Sequence, residues 1–159
     1  MPSIAEVKTY LEQYGIEVWE YTQPTPTCAT AAAAVGCSIA EIAKTLLFLV
    51  GGQPLAVVTC GDMKVNSSQL KQVSGLSGKV RLPRAEDVLR YTGFAPGGVC
   101  PFLLPQGLPV FLDQSMQRFP QVFAAAGNDY SAVPINWQQL LQLTGGRPAD
   151  LCEPLQGQL

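Results

Sequence analysis

Ile42-Ala43-Lys44-Thr45-Leu46-Leu47-Phe48-Leu49-Val50-Gly51-Gly52-Gln53-Pro54-Leu55-Ala56-Val57-Val58-Thr59-Cys60 is the stretch on which the fold turns. Residues 45–50 and 54–60 are two short apolar runs separated by a Gly-Gly pair. Runs of this length, rich in branched side chains and joined by a glycine turn, read as a buried hairpin. Lys44 stands at the entrance to the first strand. Ahead of it, Ser38-Ile39-Ala40-Glu41 has the form of a capping box opening a very short helix.

Outward from this hairpin, helices and strands are scattered rather than alternating. Ser3-Ile4-Ala5-Glu6 is a second capping box, followed by Ile4, Val7, Leu11 and Tyr14 at helical spacing and a Gly15 stop. Residues 16–21 alternate as a strand with one wet face, 23–27 carry two prolines as a loop, and 27–35 form an alanine-rich helix ending at Gly36. Helices are expected at 66–73 and 82–90, with a short strand at 79–82 between them. Residues 91–105 are too rich in Gly and Pro for regular structure. Strands follow at 109–113, 121–126 and 131–135, with Gly127-Asn128-Asp129 as a turn. Asn136 caps a last helix through Leu143, and 148–159 read as a loose tail. Such an order does not build a doubly wound parallel sheet. A single mixed α/β (α+β) domain over 1–159 is expected.

Bulk composition bounds the function. Hydrophobic residues make up 47 % and charged residues 14 %, a globular rather than a disordered balance. No apolar run approaches the roughly 20 residues of a membrane span, and Met1-Pro2-Ser3-Ile4 is no secretory signal, so a cytoplasmic home is expected. Cys28, Cys37, Cys60, Cys100 and Cys152 lack the spacing of a zinc knuckle or a redox pair, and their odd number argues for free thiols. The chain contains no histidine. That removes Ser-His-Asp and Cys-His nucleophiles and histidine-based metal sites. Residues 44–90 hold Lys44, Lys64, Lys71, Lys79, Arg81, Arg84 and Arg90 against Asp62, Glu86 and Asp87. This cluster is either a basic face for phosphates on an acidic protein or a solvated charged surface.

Three features can carry chemistry. Lys44 either meets an anion or snorkels from the strand end to water. The loop Gly93-Phe94-Ala95-Pro96-Gly97-Gly98-Val99-Cys100-Pro101 either presents successive N–H groups to an anion or oxyanion or is an ordinary surface turn. It is no Walker loop, because no Gly-Lys-Ser/Thr follows. Asp113 either orients a substrate amine or caps the turn after it.

In their order and spacing, Ile42-Ala43-Lys44-Thr45-Leu46, the 93–101 loop with its Gly-x-x-x-Pro (Gly97 to Pro101), Val110-Phe111-Leu112-Asp113 and Ala125-Ala126-Gly127-Asn128 resemble the YbaK-like, prolyl-tRNA synthetase-associated editing family. Gly61-Asp62 and Val65-Asn66 fit the same pattern, and the likeness spans roughly residues 21–143. It implies a central, mostly antiparallel, barrel-like sheet flanked by helices. It also implies an aminoacyl-tRNA deacylase without metal or organic cofactor, acting on a tRNA-Pro type substrate that carries a small wrong amino acid. Lys44 matches the lysine that contacts the tRNA acceptor end. Gly97, Gly98 and Pro101 belong to the loop whose N–H groups hold the aminoacyl carbonyl. Thr45, Val99, Cys100, Asp113, Gly127 and Asn128 fall at substrate-binding positions. The implied partner is aminoacyl-tRNA, with a synthetase or an elongation factor beside it, and neither membrane nor DNA.

Two departures stand out. Pro101 is followed by Phe102-Leu103-Leu104 where many members have a glycine, and Cys100 replaces an expected serine or threonine. Both are expected at the pocket rim, where they bear on substrate identity. A second reading therefore stays open, a non-catalytic protein of the same fold that binds an aminoacyl-tRNA or a synthetase.

Overall fold

The computed structural model describes residues 3–155. Met1 and Pro2, and the last four residues of the expected tail, lie outside them. The hairpin forms as β2 (Ala43–Val50) and β3 (Gln53–Cys60), paired antiparallel with Val50 opposite Gln53. Residues 55–60 are all buried, because β3 is central. It is flanked by β2 on one side and by parallel β6 (Val110–Asp113) on the other. The five-stranded sheet continues to β5 (Val80–Arg81) beside β2 and β9 (Arg147–Ala149) beside β6.

A second sheet of three strands holds β1 (Trp19–Glu20), β8 (Ser131–Ile135) and β7 (Val122–Ala124) in that order, all antiparallel. A single parallel bridge from Ile42 to Phe123 joins it to the start of β2. The third sheet pairs β4 (Met63–Val65) with β10 (Cys152–Pro154). Pairing is mostly antiparallel, in a mixed α+β arrangement, but the three sheets do not close into one continuous barrel among the described residues.

Local signals set the helices. α1 (Ile4–Glu12) starts at Ser3, whose hydroxyl accepts from the Glu6 N–H. α2 (Cys28–Val35) is capped by Thr27 and ends at left-handed Gly36. α3 (Ser67–Ser74) is capped by Asn66, and α5 (Trp137–Thr144) by Asn136. Each cap satisfies an amide that the first helical turn leaves without a partner. α4 (Ala85–Thr92) begins later than residue 82, because Pro83 precedes it and Asp87 accepts from the Arg84 N–H to open the first turn. The 3₁₀ helix Ile39–Glu41 occupies the second capping box.

Two further expectations are corrected. The strand over 16–21 shrinks to Trp19–Glu20, since β8 offers it only Ala132 and Ser131 as partners. The tail is not loose up to residue 155. It returns as β9 and β10, and Leu151 is fully buried between them. One apolar core lies under α1 and α5 around Val58, Phe94, Phe102 and Leu112. A second lies across the sheet around Val57, Leu70 and Phe111, and a small third one gathers Ala32, Ile42 and Phe123.

Candidate functional site

A cavity of about 380 Å³ opens where the start of β2 meets β7. Ile42, Ala43, Lys44, Thr45 and Leu46 form one wall. Phe123, Ala124 and Ala125 form a second, and Ser131 and Ala132 adjoin it. Gly97, Val99 and Asn128 close one end. The loop and helix start at Thr25–Thr27, Cys28 and Ala31 cover the other side. The lining is mainly small and apolar, and Lys44 is its only charged side chain among the described residues. No three His, Cys, Asp or Glu side chains converge as a metal site would need, among the described residues.

Lys44 is half-buried at the second position of β2, and its ammonium donates to the Met63 carbonyl. It is therefore not simply snorkelling into water. The loop end is built by a tight turn: the Gly98 N–H donates to the Ala95 carbonyl at 2.9 Å, with Pro96 and Gly97 between them. Gly97 has φ +86°, the third position of a type II turn, where glycine avoids the steric penalty of a side chain. The Gly97 and Val99 amides have no acceptor among the described residues, and both residues line the cavity. Gly98 differs from the expectation of a free donor, because its amide closes the turn. A Cβ on it would lie 2.8 Å from the Gly127 carbonyl and 3.1 Å from the Asn128 Cα. The loop is thus pressed directly on the 127–128 turn. Gly127 has φ +104° and leaves room for the Phe94 ring. Asn128 accepts the Tyr130 N–H at 2.9 Å, which fixes the turn.

Other expected site residues face elsewhere. Cys100 and Phe102 are completely buried in the core beneath the loop, not at the pocket rim. Burial pushes the Cys100 thiol up to about 12, so it is neutral and packs as a small apolar group. Neither the departure at Cys100 nor the one after Pro101 therefore touches the cavity lining. Pro101 borders a separate depression shared with Tyr10, Leu104 and Leu143. Asp113 is 2 % exposed. It caps the 3₁₀ helix Gln114–Arg118 by accepting from the Ser115 N–H, and it also accepts from the Leu151 N–H at 2.9 Å. Its capping role prevails, and it lies outside the cavity.

Sequence reasoning missed Thr25, Cys28, Ala31, Phe123 and Ala132. The alanine-rich run 31–34 was a usable signal, since small side chains on α2 leave room for a cavity beneath it. Burial raises the Cys28 thiol above its usual range, and Lys44 partly opposes the shift.

Comparison with known proteins shows the family of the chain. The aminoacyl-tRNA editing domain matches residues 22–143. The uncharacterized protein YwhH of Bacillus subtilis (strain 168) is 34 % identical over 155 residues, 95 % of this chain and 98 % of that protein. The proline–tRNA ligase of Leuconostoc citreum (strain KM20) is 30 % identical over 105 residues, which are 65 % of this chain but 18 % of the ligase. A crystal structure of a candidate trans-editing enzyme for prolyl tRNA synthetase superposes with a TM-score of 0.85 at 33 % identity, covering 96 % of this chain and 98 % of that one. The chain belongs to the aminoacyl-tRNA editing domain family.

Proposed function

We propose that the protein hydrolyses the ester linking a wrong, small amino acid to tRNA, acting in trans on a tRNA-Pro type substrate. The observation that carries this reading is the meeting of Lys44 with the unpaired Gly97 and Val99 amides around one mainly apolar cavity. An ammonium suits a terminal-nucleotide phosphate. Two backbone N–H groups suit a carbonyl oxygen that becomes negative as water adds. The small apolar walls suit a short uncharged side chain and disfavour larger ones.

Water adds to the carbonyl carbon, the ester C–O bond breaks, and the proton ends on the leaving ribose oxygen. Each backbone donor to the developing oxyanion is worth a few kcal/mol, roughly 3. Lys71, Lys79 and Arg81, which have no carboxylate partner within 4 Å among the described residues, extend the contact to tRNA phosphates.

A deacylation assay over a panel of mischarged tRNAs tests the reading. Turnover of at least one small aminoacyl ester is expected, and binding without turnover of any would establish the non-catalytic alternative. If the basic segment meets phosphates, each charge removed from 71–81 lowers the slope of log KM against log salt by roughly 0.7–0.9. A salt-independent KM would reduce the cluster to a solvated face.

A further inference from the structure

The Lys44 ammonium has one hydrogen-bond acceptor among the described residues, the Met63 carbonyl. That carbonyl is available because of strand register. Met63 lies opposite Pro154 in the antiparallel β4–β10 pair. The Leu155 N–H donates to the Asp62 carbonyl and the Asn66 N–H to the Leu151 carbonyl. These bonds make Met63 opposite Pro154 a non-hydrogen-bonded pair, whose N–H and C=O groups point away from the neighbouring strand. Proline has no N–H and suits only such a position. A slip of one residue would turn the Met63 carbonyl toward β10 and withdraw it from Lys44.

A second anchor fixes the preceding residue, Asp62. Asp62 takes a two-pronged ion pair from Arg118, with Nη2 to Oδ1 at 2.7 Å and Nη1 to Oδ2 at 3.1 Å. Arg118 Nε donates to the Ser115 carbonyl at 2.8 Å, which ties the guanidinium to the 3₁₀ helix that Asp113 caps. Asp62 is thus gripped by its side chain from one side and by Leu155 from the other, one residue before the carbonyl that receives Lys44.

We infer that Asp62 and Arg118, with β10 setting the register, are positioning residues that place the Lys44 ammonium for the tRNA end. This rests on the proposed role of Lys44 at the acceptor end. A loose ammonium would still be a cation, so the effect falls on substrate capture rather than on the hydrolytic step. Arg118→Lys cannot form the fork, because a lysine ammonium is a single point donor on a flexible stem.

The test combines kinetics with nuclear magnetic resonance of lysine labelled at Cε, read on the full chain. In Arg118→Ala, Arg118→Lys and Asp62→Asn, KM is expected to rise about five- to tenfold with kcat within twofold. The Lys44 Cε signal should move toward those of exposed lysines. The exchanged pair Asp62→Arg with Arg118→Asp should recover part of the KM. In a Lys44→Ala background, Arg118→Ala should leave the affinity for uncharged tRNA unchanged. An unmoved Lys44 signal in all three folded single variants, or a loss confined to kcat, would overturn the inference. Full activity of Lys44→Ala would instead overturn the proposed role of Lys44, while the resonance would still report whether the fork holds it. If Arg118→Ala fails to fold, Asp62→Asn, which keeps shape and removes charge, decides.

Discussion

Gly97 and Cys100 are three residues apart in one loop, yet they belong to different environments. Gly97 and Val99 border the cavity and keep their amides free. Cys100 and Phe102 are sealed in the core at zero exposure. The same division separates Lys44, which lines the cavity, from Asp113, whose carboxylate is consumed by the Ser115 and Leu151 amides. A sequence motif thus mixes groups that meet a ligand with groups that hold the first set still. Substitutions on the cavity side are expected to change activity at constant stability, and those on the core side the reverse.

The largest effect is expected at Lys44. Lys44→Ala should lower kcat/KM for deacylation by at least about a hundredfold, or about 2.7 kcal/mol of transition-state stabilisation. The melting temperature should stay within a degree or two, since a half-buried lysine at a strand end contributes little to the core. Near-normal turnover would remove Lys44 from the cavity's chemistry and erase the contrast with Asp113.

Gly98 lies on the boundary, and its substitution should affect both properties. Gly98→Ala adds only a Cβ, but that atom would meet backbone of Gly127 and Asn128 at 2.8 and 3.1 Å. Backbone on both sides cannot swing away as a flexible side chain would. The loop must lift from the 127–128 turn, moving the free amides. A displacement of about 1 Å in a catalytic arrangement can lower the rate by about a hundredfold. A fall of tenfold or more in kcat, with a lower melting temperature, is expected. Unchanged kinetics would show that the contact between the two turns is dispensable.

How far this division was legible in the sequence follows from the range of each signal. The hairpin and the caps at Ser3, Ser38 and Asn136 are encoded by neighbours a few residues apart. Lys44 was visible because a charge interrupts an apolar run. Strands β9 and β10 were not, because Arg147-Pro148-Ala149 and Cys152-Glu153-Pro154 have no apolar alternation, and distant Phe111 to Asp113 and Met63 to Val65 make them strands. Cys100 and Asp113 stand in motifs whose spacing predicts them at the pocket. Their direction depends on core packing, which spacing does not encode. The α2 wall was missed because alanine carries no chemical label.

Cys100→Ser examines the core side directly. It replaces a thiol in a fully buried site with a hydroxyl whose desolvation costs roughly 1–3 kcal/mol unless it is fully hydrogen-bonded. The Phe102 carbonyl, 3.6 Å from the present sulfur, offers partial compensation. Melting should fall by roughly 2–12 °C, at about 2–4 °C per kcal/mol for a chain of this size. Deacylation per folded molecule should remain within twofold. Complete loss of activity at normal stability, or a thioester trapped on Cys100, would turn the core side into part of the chemistry.

The smallest effect is a slope with pH, and it identifies the buried thiol without disturbing the cavity. Cys100 is pushed up to about 12 by burial, whereas an unfolded chain's thiol titrates near 8.5. Between these values the unfolded state loses its proton first, so it binds fewer protons than the folded state. Stability must then fall as pH rises. The contribution is complete below about 8.5 and declines up to about 12, by at most about 1.4 kcal/mol per pH unit for one thiol. Burial also raises Cys152 to about 12, although Lys44 and Thr59 oppose the shift, so the wild-type slope contains more than one thiol. Urea unfolding from pH 8 to 10.5 under reducing conditions, compared between wild type and Cys100→Ala, isolates the Cys100 share. The variant's decline should be shallower, whatever its starting stability, because removing the thiol removes its proton linkage. Equal slopes in the two proteins would mean that the Cys100 thiolate is as well accommodated in the fold as in water. The second half of the loop would then not be the sealed side of the site.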